Sequence, residues 1–216
     1  MKTFLIIAVV ILALGGPARS GPPSDALFVE GIFADLPDGQ VMTYAHRRSG
    51  SEAPGFVQVT DGRMRLLTQS SGTERSLTLT LEESGKQREI VDFPAGGGNP
   101  VLMVFLESTV RSMATIAGGS PFYIRNRIKD ALRSGGEVKL VNQEFGGQTV
   151  AVQEVTFRPF AQDPNRARMG EFADLMLRFL VSDAVPGQFL LLSADTSVAT
   201  TGYHEAITLS SDEVVE

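Results

Sequence analysis

From residue 27 to about residue 95, short stretches alternate between apolar and polar positions and are separated by turn residues. A period of two is typical of antiparallel strands with one face on the core and one face in solvent. The stretch 76–81 is the clearest case, because its leucines and its hydroxyl residues fall on opposite faces. Turn chemistry at Pro37-Asp38-Gly39, Asp61-Gly62 and Ser84-Gly85 then predicts hairpins near 28–46, 56–68 and 76–92.

The pattern changes to a helical period after three glycines at 96–98. Asn99 followed by Pro100 is typical of a helix N-cap and first helical position. From 100 to 117 the apolar residues share one wide arc of a helical wheel, with polar residues on the other. A second helix follows Ser120-Pro121 and stops at Gly135, so the two helices are expected to form a hairpin.

Apolar and polar residues alternate again from 138 to 158, and Gly146-Gly147 is the predicted turn of a hairpin in this stretch. The valines at 150 and 152 are out of phase with the apolar residues at 155 and 157, which predicts a bulge near Gln153-Glu154. We expect the last three strands near 172–182, 188–194 and 203–210, and a frayed tail at 211–216.

Strands, a helical pair and further strands are the element order of an α+β fold. The apolar arc of the first helix is too broad for a helix that lies lightly on a surface. The sequence therefore predicts a curved, half-barrel-like antiparallel sheet with the inserted helical hairpin packed on its concave face.

The N-terminus has the features of a cleaved secretory signal peptide. Lys2 gives it a positive start, an apolar run covers 4–14, and small residues precede Gly21. A retained membrane anchor needs about 18 apolar residues in a row, and the glycines and proline at 15–17 end this run earlier. We expect a signal peptide at 1–20, no transmembrane anchor after cleavage, and a single α+β periplasmic domain at 21–216.

The amino-acid composition excludes several kinds of site and partner. The chain has no cysteine, which excludes disulfides, a lipidated N-terminal cysteine and thiolate sites. Removing Lys2 and Arg19 with the signal peptide leaves 17 of the 19 basic residues against all 25 acidic ones, a formal charge of −8. Nucleic-acid binding needs a large basic surface, so we expect no nucleic-acid partner.

Catalytic and metal motifs do not emerge from the sequence. The two histidines, His46 and His204, lie on predicted strands beside charged residues, but no HxH, HExxH or HxxxH spacing accompanies them. Ser120 does not lie in a G-x-S-x-G elbow. We therefore predict no catalytic residue, no metal ligand and no cofactor.

The second helix carries a basic stripe in an otherwise acidic chain. Arg125, Lys129 and Arg133 follow one another at four-residue spacing and share one face. Such a stripe is suited to an anionic ligand or an acidic partner. The alternative is a solvated face whose charges pair with neighbours such as Asp130 and Glu137.

Two segments suggest relatives: GGGNPVLMVFLESTVRSMATIAGGSPFYIRNRIKDAL and LRFLVSDAVPGQFLLLSADT. They resemble stretches of uncharacterised secreted or periplasmic proteins of Gram-negative bacteria, a family that implies no activity. In arrangement only, a signal peptide before a curved sheet around inserted helices is similar to the lipoprotein-carrier half-barrels of the periplasm. No diagnostic motif of those carriers is present, so the resemblance implies no functional residue.

The leading interpretation is a periplasmic, non-enzymatic binding or accessory domain with a pocket for an apolar or anionic lipid-like ligand. Flexible methionines and a large apolar arc suit such a pocket. The alternative interpretation is that the same residues simply fill a core. The predicted ligand-binding residues are Met103, Phe105, Leu106 and Met113 in the lining, with Arg125 and Lys129 at the rim. The alternatives are an envelope interaction module that binds a protein partner and a hydrolase with an unrecognised site.

Overall fold

The computed structural model describes residues 22–72, 74–197 and 202–214. The predicted signal peptide lies outside these residues. The described chain contains two α-helices, α1 (Pro100–Ala117) and α2 (Pro121–Ser134). Its nine strands are β1 (Gln40–Ser49), β2 (Val59–Ser71), β3 (Glu74–Glu83), β4 (Lys86–Pro94), β5 (Glu137–Phe145), β6 (Gln148–Phe157), β7 (Met176–Val181), β8 (Phe189–Asp195) and β9 (His204–Val214).

These strands form one open antiparallel sheet in the order β4-β3-β2-β1-β9-β8-β7-β6-β5. The chain builds one half of the sheet before the helices and the other half after them. The last strand joins the halves, because β9 pairs with β1 on one side and β8 on the other. The predicted α+β class, with a helical hairpin inserted between two runs of strands, is confirmed.

α1 lies against the inner face of this sheet. Phe105 contacts Phe179 of β7 edge to face, and Ser108, three residues later, bonds to Glu205 of β9. Side chains from β1–β4 face the same helix across a cavity. The sheet therefore curves around α1 as a half-barrel, and the predicted packing on the concave face is confirmed.

The predicted start of α1 is also confirmed. The Asn99 side chain accepts a hydrogen bond from the Val101 backbone N–H at 2.9 Å, and its amide nitrogen donates to the Gly187 carbonyl at 2.7 Å. One side chain thus caps the helix and attaches it to the loop before β8. α1 is long and apolar enough to cross a membrane by length and composition alone, but its buried residues form part of the hydrophobic core.

Two of the three predicted N-terminal hairpins are wrong. No strand forms between residue 28 and Gln40, so the turn at 37–39 leads into β1 instead of joining two strands. Asp61-Gly62 lies inside β2, where Gly62 pairs with His46. A Cβ at Gly62 would lie 3.0 Å from the His46 carbonyl oxygen, so this glycine marks a close approach of two strands. The hairpin at 76–92 is confirmed, with both Ser84 and Gly85 at positive φ.

In the C-terminal half, the hairpin at Gly146-Gly147 is confirmed and the predicted bulge is wrong. β6 pairs with both neighbours without a register shift, so the two out-of-phase apolar sets lie on opposite faces of one regular strand. The predicted fraying of the tail is wrong for 211–214, which extend β9 and pair with the start of β1. β7 begins only at Met176, after a 3₁₀ turn at Gly170–Asp174.

Candidate functional site

A cavity of about 620 Å³ lies between α1 and the inner face of β1–β4. The segment 50–58, which joins β1 to β2, covers part of it through residues 55–57. α1 contributes one stripe of side chains, from Met103 to Thr115, which corresponds to roughly 18 Å of helix. The volume is within the range of small-molecule sites, about 300–1,000 Å³.

The walls of the cavity combine apolar side chains with three arginines and three glutamates. Met64 and Leu81 are buried side chains of β2 and β3 that reach it from the sheet. Val57 and Met103 also line it, yet they are 60% and 57% exposed. Large apolar side chains are therefore presented to solvent where the cavity opens.

One end of the cavity is polar because the inward-facing positions change character along two strands. On β3 the side chains that face the helix run from Leu79 through Leu81 to Glu83, and on β1 Tyr44 is followed by His46. His46 is only 2% exposed, whereas Glu83 is 29% exposed. Two ionisable groups thus occupy core-facing positions at the same end of the sheet.

His46 lies between two carboxylates. Its Nε2 is 2.8 Å from Oε1 of Glu205, which is fully buried. A carboxylate can only accept, so we assign a proton to Nε2, which donates to Glu205. Its Nδ1 lies 3.2 Å from Oε1 of Glu83 but makes no hydrogen bond.

Glu205 has further donors around it. The Ser108 hydroxyl donates to it at 2.6 Å, and the Tyr203 hydroxyl donates to its second oxygen. Arg48 in turn donates to the Ser108 oxygen at 2.8 Å and to the Val57 carbonyl at 2.9 Å. This network attaches α1, β1, β9 and the covering segment to one buried carboxylate, which satisfies the charge that burial would otherwise make costly.

The tyrosine of this network is held neutral. Burial, together with the neighbouring Glu205 carboxylate, raises the pKa of Tyr203 well above its usual range. The phenol therefore remains a hydrogen-bond donor to Glu205.

The network does not have the arrangement of a serine hydrolase. Ser108 donates to Glu205 instead of His46, so no histidine is bonded to the hydroxyl as its base. His204 lies apart from His46, half exposed and bonded to Asp195. No three metal-ligating side chains converge within 22–72, 74–197 or 202–214. The hydrolase alternative stays a prediction without a nucleophile–base pair to support it.

The six residues predicted to bind a ligand are not gathered at this cavity. Met103 lines it. Phe105 and Met113 are buried in the core, and Leu106 packs against that core. The predicted ligand role of these apolar side chains stays a prediction, and the structure places all but Met103 in or against the core instead of the cavity lining.

The two rim residues lie on α2. Arg125 donates to Glu107 of α1, with 2.9 Å between its Nη2 and Oε2 of the carboxylate, and Lys129 is exposed. Arg111 bonds to the same Glu107. Burial tends to raise the pKa of Glu107, but the hydrogen bonds from Arg125 and Arg111 outweigh it and lower the pKa. The basic stripe is thus partly neutralised by the neighbouring helix, and its proposed role toward an anionic ligand or partner stays a prediction.

Sequence reasoning missed the polar end of the cavity. A histidine and a glutamate at inward positions of alternating strands were the available signal, at 46 and 83. Their partner Glu205 is 159 residues from His46 in the chain, so the pairing depends on strand order. Local patterns do not contain that order.

Comparisons with known proteins identify no family for this chain. No protein-family model matches the chain, and no curated protein matches its sequence. Among solved structures, the fold is similar to the Mycobacterium tuberculosis lipoprotein LppX, with a TM-score of 0.32 and 10% sequence identity. The match covers 86% of this chain and 93% of that one. A similarity this distant carries no argument about function, so the function has to be inferred from the cavity itself.

Proposed function

We propose that this protein is a periplasmic, non-enzymatic binding domain that holds the apolar part of a lipid-like ligand between α1 and β1–β4. The observation that carries the proposal is the cavity of about 620 Å³, in which apolar side chains from α1 and the sheet lie beside charged ones. The periplasmic location follows from the signal peptide predicted at 1–20.

The energetics favour an apolar occupant. Each methylene group moved from water into the cavity contributes about 0.8 kcal/mol. A chain of roughly eight methylenes would therefore contribute about 6 kcal/mol before the costs of ordering and association are subtracted. The same occupant would cover Val57 and Met103, which are otherwise exposed to water.

The proposal is tested with an uncharged apolar fluorophore, N-phenyl-1-naphthylamine, added to the purified chain without residues 1–20. We expect saturable uptake of one probe molecule per chain, seen as a rise in fluorescence and as a mass increment in native mass spectrometry. Placing charges in the lining with Val57→Asp and Met103→Asp together should weaken binding at least tenfold.

The matched control is Phe122→Asp on α2. Phe122 is 69% exposed and does not line the cavity, so its substitution places one aspartate on an exposed apolar residue elsewhere and is compared with each single lining variant. Binding should stay within twofold of the unsubstituted protein. Absence of uptake, or equal loss in the control, would contradict the proposed function.

A further inference from the structure

We infer that the outer face of the helical hairpin docks this protein on an anionic membrane surface. The outer face is the solvent-facing side that α1 and α2 share, and its members are Met103, Arg111, Phe122, Arg125, Lys129 and Arg133. Its occupant is a bilayer with acidic phospholipid head groups, and the helices lie along this bilayer without crossing it. The inference goes beyond the proposed function, because docking uses the outside of the hairpin and does not require an occupied cavity.

A bond between the two helices brings the outer face together. Arg125 of α2 donates to Glu107 of α1, with 2.9 Å between Nη2 and Oε2. Met103 and Arg111 lie one turn before and one turn after Glu107, so they share its side of α1. The members on α2 follow one another at intervals of three or four residues from 122 to 133, which places them in a second stripe of about 16 Å alongside the first.

The first support is a concentration of positive charge in an acidic protein. The chain has 19 basic and 25 acidic residues, yet α1 and α2 together carry five basic residues and two acidic ones. Four of the five basic residues belong to the outer face. The fifth, Arg127, is on the other side of α2, where it donates to the buried Asp163 at 2.9 Å. An anionic bilayer attracts such a cluster of basic residues.

The second support is that two of these charges have no partner in the protein. Asp130 is the neighbour that could neutralise the stripe, but it pairs with Arg127 at 3.4 Å. Glu107 is bonded to the two arginines of the face that lie next to it. Lys129 and Arg133 therefore have no carboxylate within ion-pair distance among the residues that the structure describes. Their charge is available to phosphate groups outside the protein.

The third support is the exposed apolar side chains between the charges. Phe122 is 69% exposed and Met103 is 57% exposed. Helices that lie in the membrane interface combine basic residues, which meet the phosphates, with large apolar residues, which enter the layer beneath. An acidic protein would account for the basic residues alone, whereas a bilayer also accounts for the exposed ring. Met103 and Arg111 line the cavity as well, so the docked surface adjoins its opening.

The first test measures co-sedimentation of the purified chain without residues 1–20 with vesicles of equal parts phosphatidylglycerol and phosphatidylcholine. At about 50 mM salt we expect at least tenfold tighter binding than to phosphatidylcholine alone, and we expect this binding to disappear by about 300 mM salt, because screening shortens the reach of exposed charges. Absence of binding would overturn the inference in favour of an acidic protein partner. Equal binding to both vesicles would overturn it as well.

Charge-reversal variants locate the surface. Each basic residue near an anionic bilayer contributes about fivefold in affinity, so Lys129→Glu with Arg133→Glu should weaken binding at least about 25-fold. The matched control is Arg63→Glu with Arg65→Glu, which makes the same change in net charge at two exposed positions of β2. The control should bind within about threefold of the unsubstituted protein. Equal losses would overturn the inference, because binding would then follow overall charge.

The apolar contact has its own readout, because the chain contains no tryptophan. Phe122→Trp introduces a single indole, whose emission should shift to shorter wavelength on the anionic vesicles and be quenched by phosphatidylcholine with brominated acyl chains. Leu140→Trp makes the equivalent change at a 70% exposed position on the edge strand β5, and its emission should not change. The opposite pattern would place the bilayer at β5 and overturn the inference.

Docking and the proposed function can fail separately. Lys129→Glu with Arg133→Glu leaves the cavity lining intact, so in the absence of vesicles this variant should take up N-phenyl-1-naphthylamine as the unsubstituted protein does. Probe uptake without vesicle binding would overturn docking alone. Vesicle binding without probe uptake would support docking and contradict the proposed function.

Discussion

The two sides of α1 are packed in opposite ways. Toward β7 and β8, Phe105 meets Phe179 edge to face, and Phe179 also contacts Phe157 and Phe189, with ring centroids 5.8–6.4 Å apart. Toward β1–β4 the same helix faces a cavity of about 620 Å³. One helix therefore has a filled side and an open side.

The difference between the filled side and the open side arises from the inward-facing residues of the strands and not from the helix. On the filled side the inward positions carry aromatic rings, whose size and edge-to-face geometry close the space. On the open side the inward positions include Gly62, His46 and Glu83, which are small or ionisable. Ionisable groups need partners or water when they are buried, so this side cannot close into a dry apolar core. The cavity follows from that choice of residues.

The largest effect is expected from Phe179→Ala on the filled side. Phe179 is fully buried among three other phenylalanines, and removing a ring from such a site leaves a void that the neighbours cannot refill. We expect a loss of about 3–5 kcal/mol in the free energy of unfolding, measured by urea denaturation followed by circular dichroism.

The control for this prediction is Phe122→Ala on α2, where the ring is mostly exposed. Its cost should stay within about 0.5 kcal/mol. A small effect at Phe179 would mean that the filled side repacks easily, and the contrast between the two sides would be lost.

An intermediate effect is expected when the same truncation is made on each side. Leu192 is fully buried on β8 and pairs with Phe179, whereas Leu81 lines the cavity. Leu81→Ala enlarges a space that already exists, so its cost should be at the low end for such changes, about 2 kcal/mol. Leu192→Ala creates a new void and should cost at least about 1 kcal/mol more. Equal values from paired urea titrations would show that both sides are packed equally tightly.

Local patterns were sufficient for much of the fold. The alternation of apolar and polar residues located β3 and β4. The Asn99 cap followed by Pro100 located the start of α1. Both signals could be read from the sequence because capping and strand periodicity act within a few residues. Asp61-Gly62 misled the prediction, since the same dipeptide that suits a turn also suits a strand at a close approach. That approach is created by β1 and so depends on tertiary pairing.

The site was harder to predict than the fold for a related reason. A helical wheel shows which residues of α1 face inward, but it does not show which part of the arc meets a packed surface and which part meets a cavity. Phe105 and Met113 were therefore expected to line a pocket and instead are in the core. Glu205 has no distinguishing sequence context, because its role exists only once β9 has joined the two halves of the sheet.

The smallest effect, and the one that tests the polar network of the open side, is expected from Tyr203→Phe. The substitution removes the hydroxyl that donates to Glu205 and keeps the ring. Because Ser108 and His46 still donate to the carboxylate, the loss near pH 7 should be only about 1–2 kcal/mol.

The pH dependence separates this network from simple packing. Burial and the Glu205 carboxylate raise the pKa of Tyr203 in the folded state, while in the unfolded chain a tyrosine has a pKa of roughly 10. The stabilisation is therefore fully present below roughly pH 10 and is lost as the pH rises above it, because only the unfolded state releases the proton. The stability advantage of the unsubstituted protein over Tyr203→Phe should shrink between about pH 9 and 11. Urea titrations across that interval measure it. An advantage that does not change with pH would mean that the folded state holds the hydroxyl proton of Tyr203 no more tightly than the unfolded chain does.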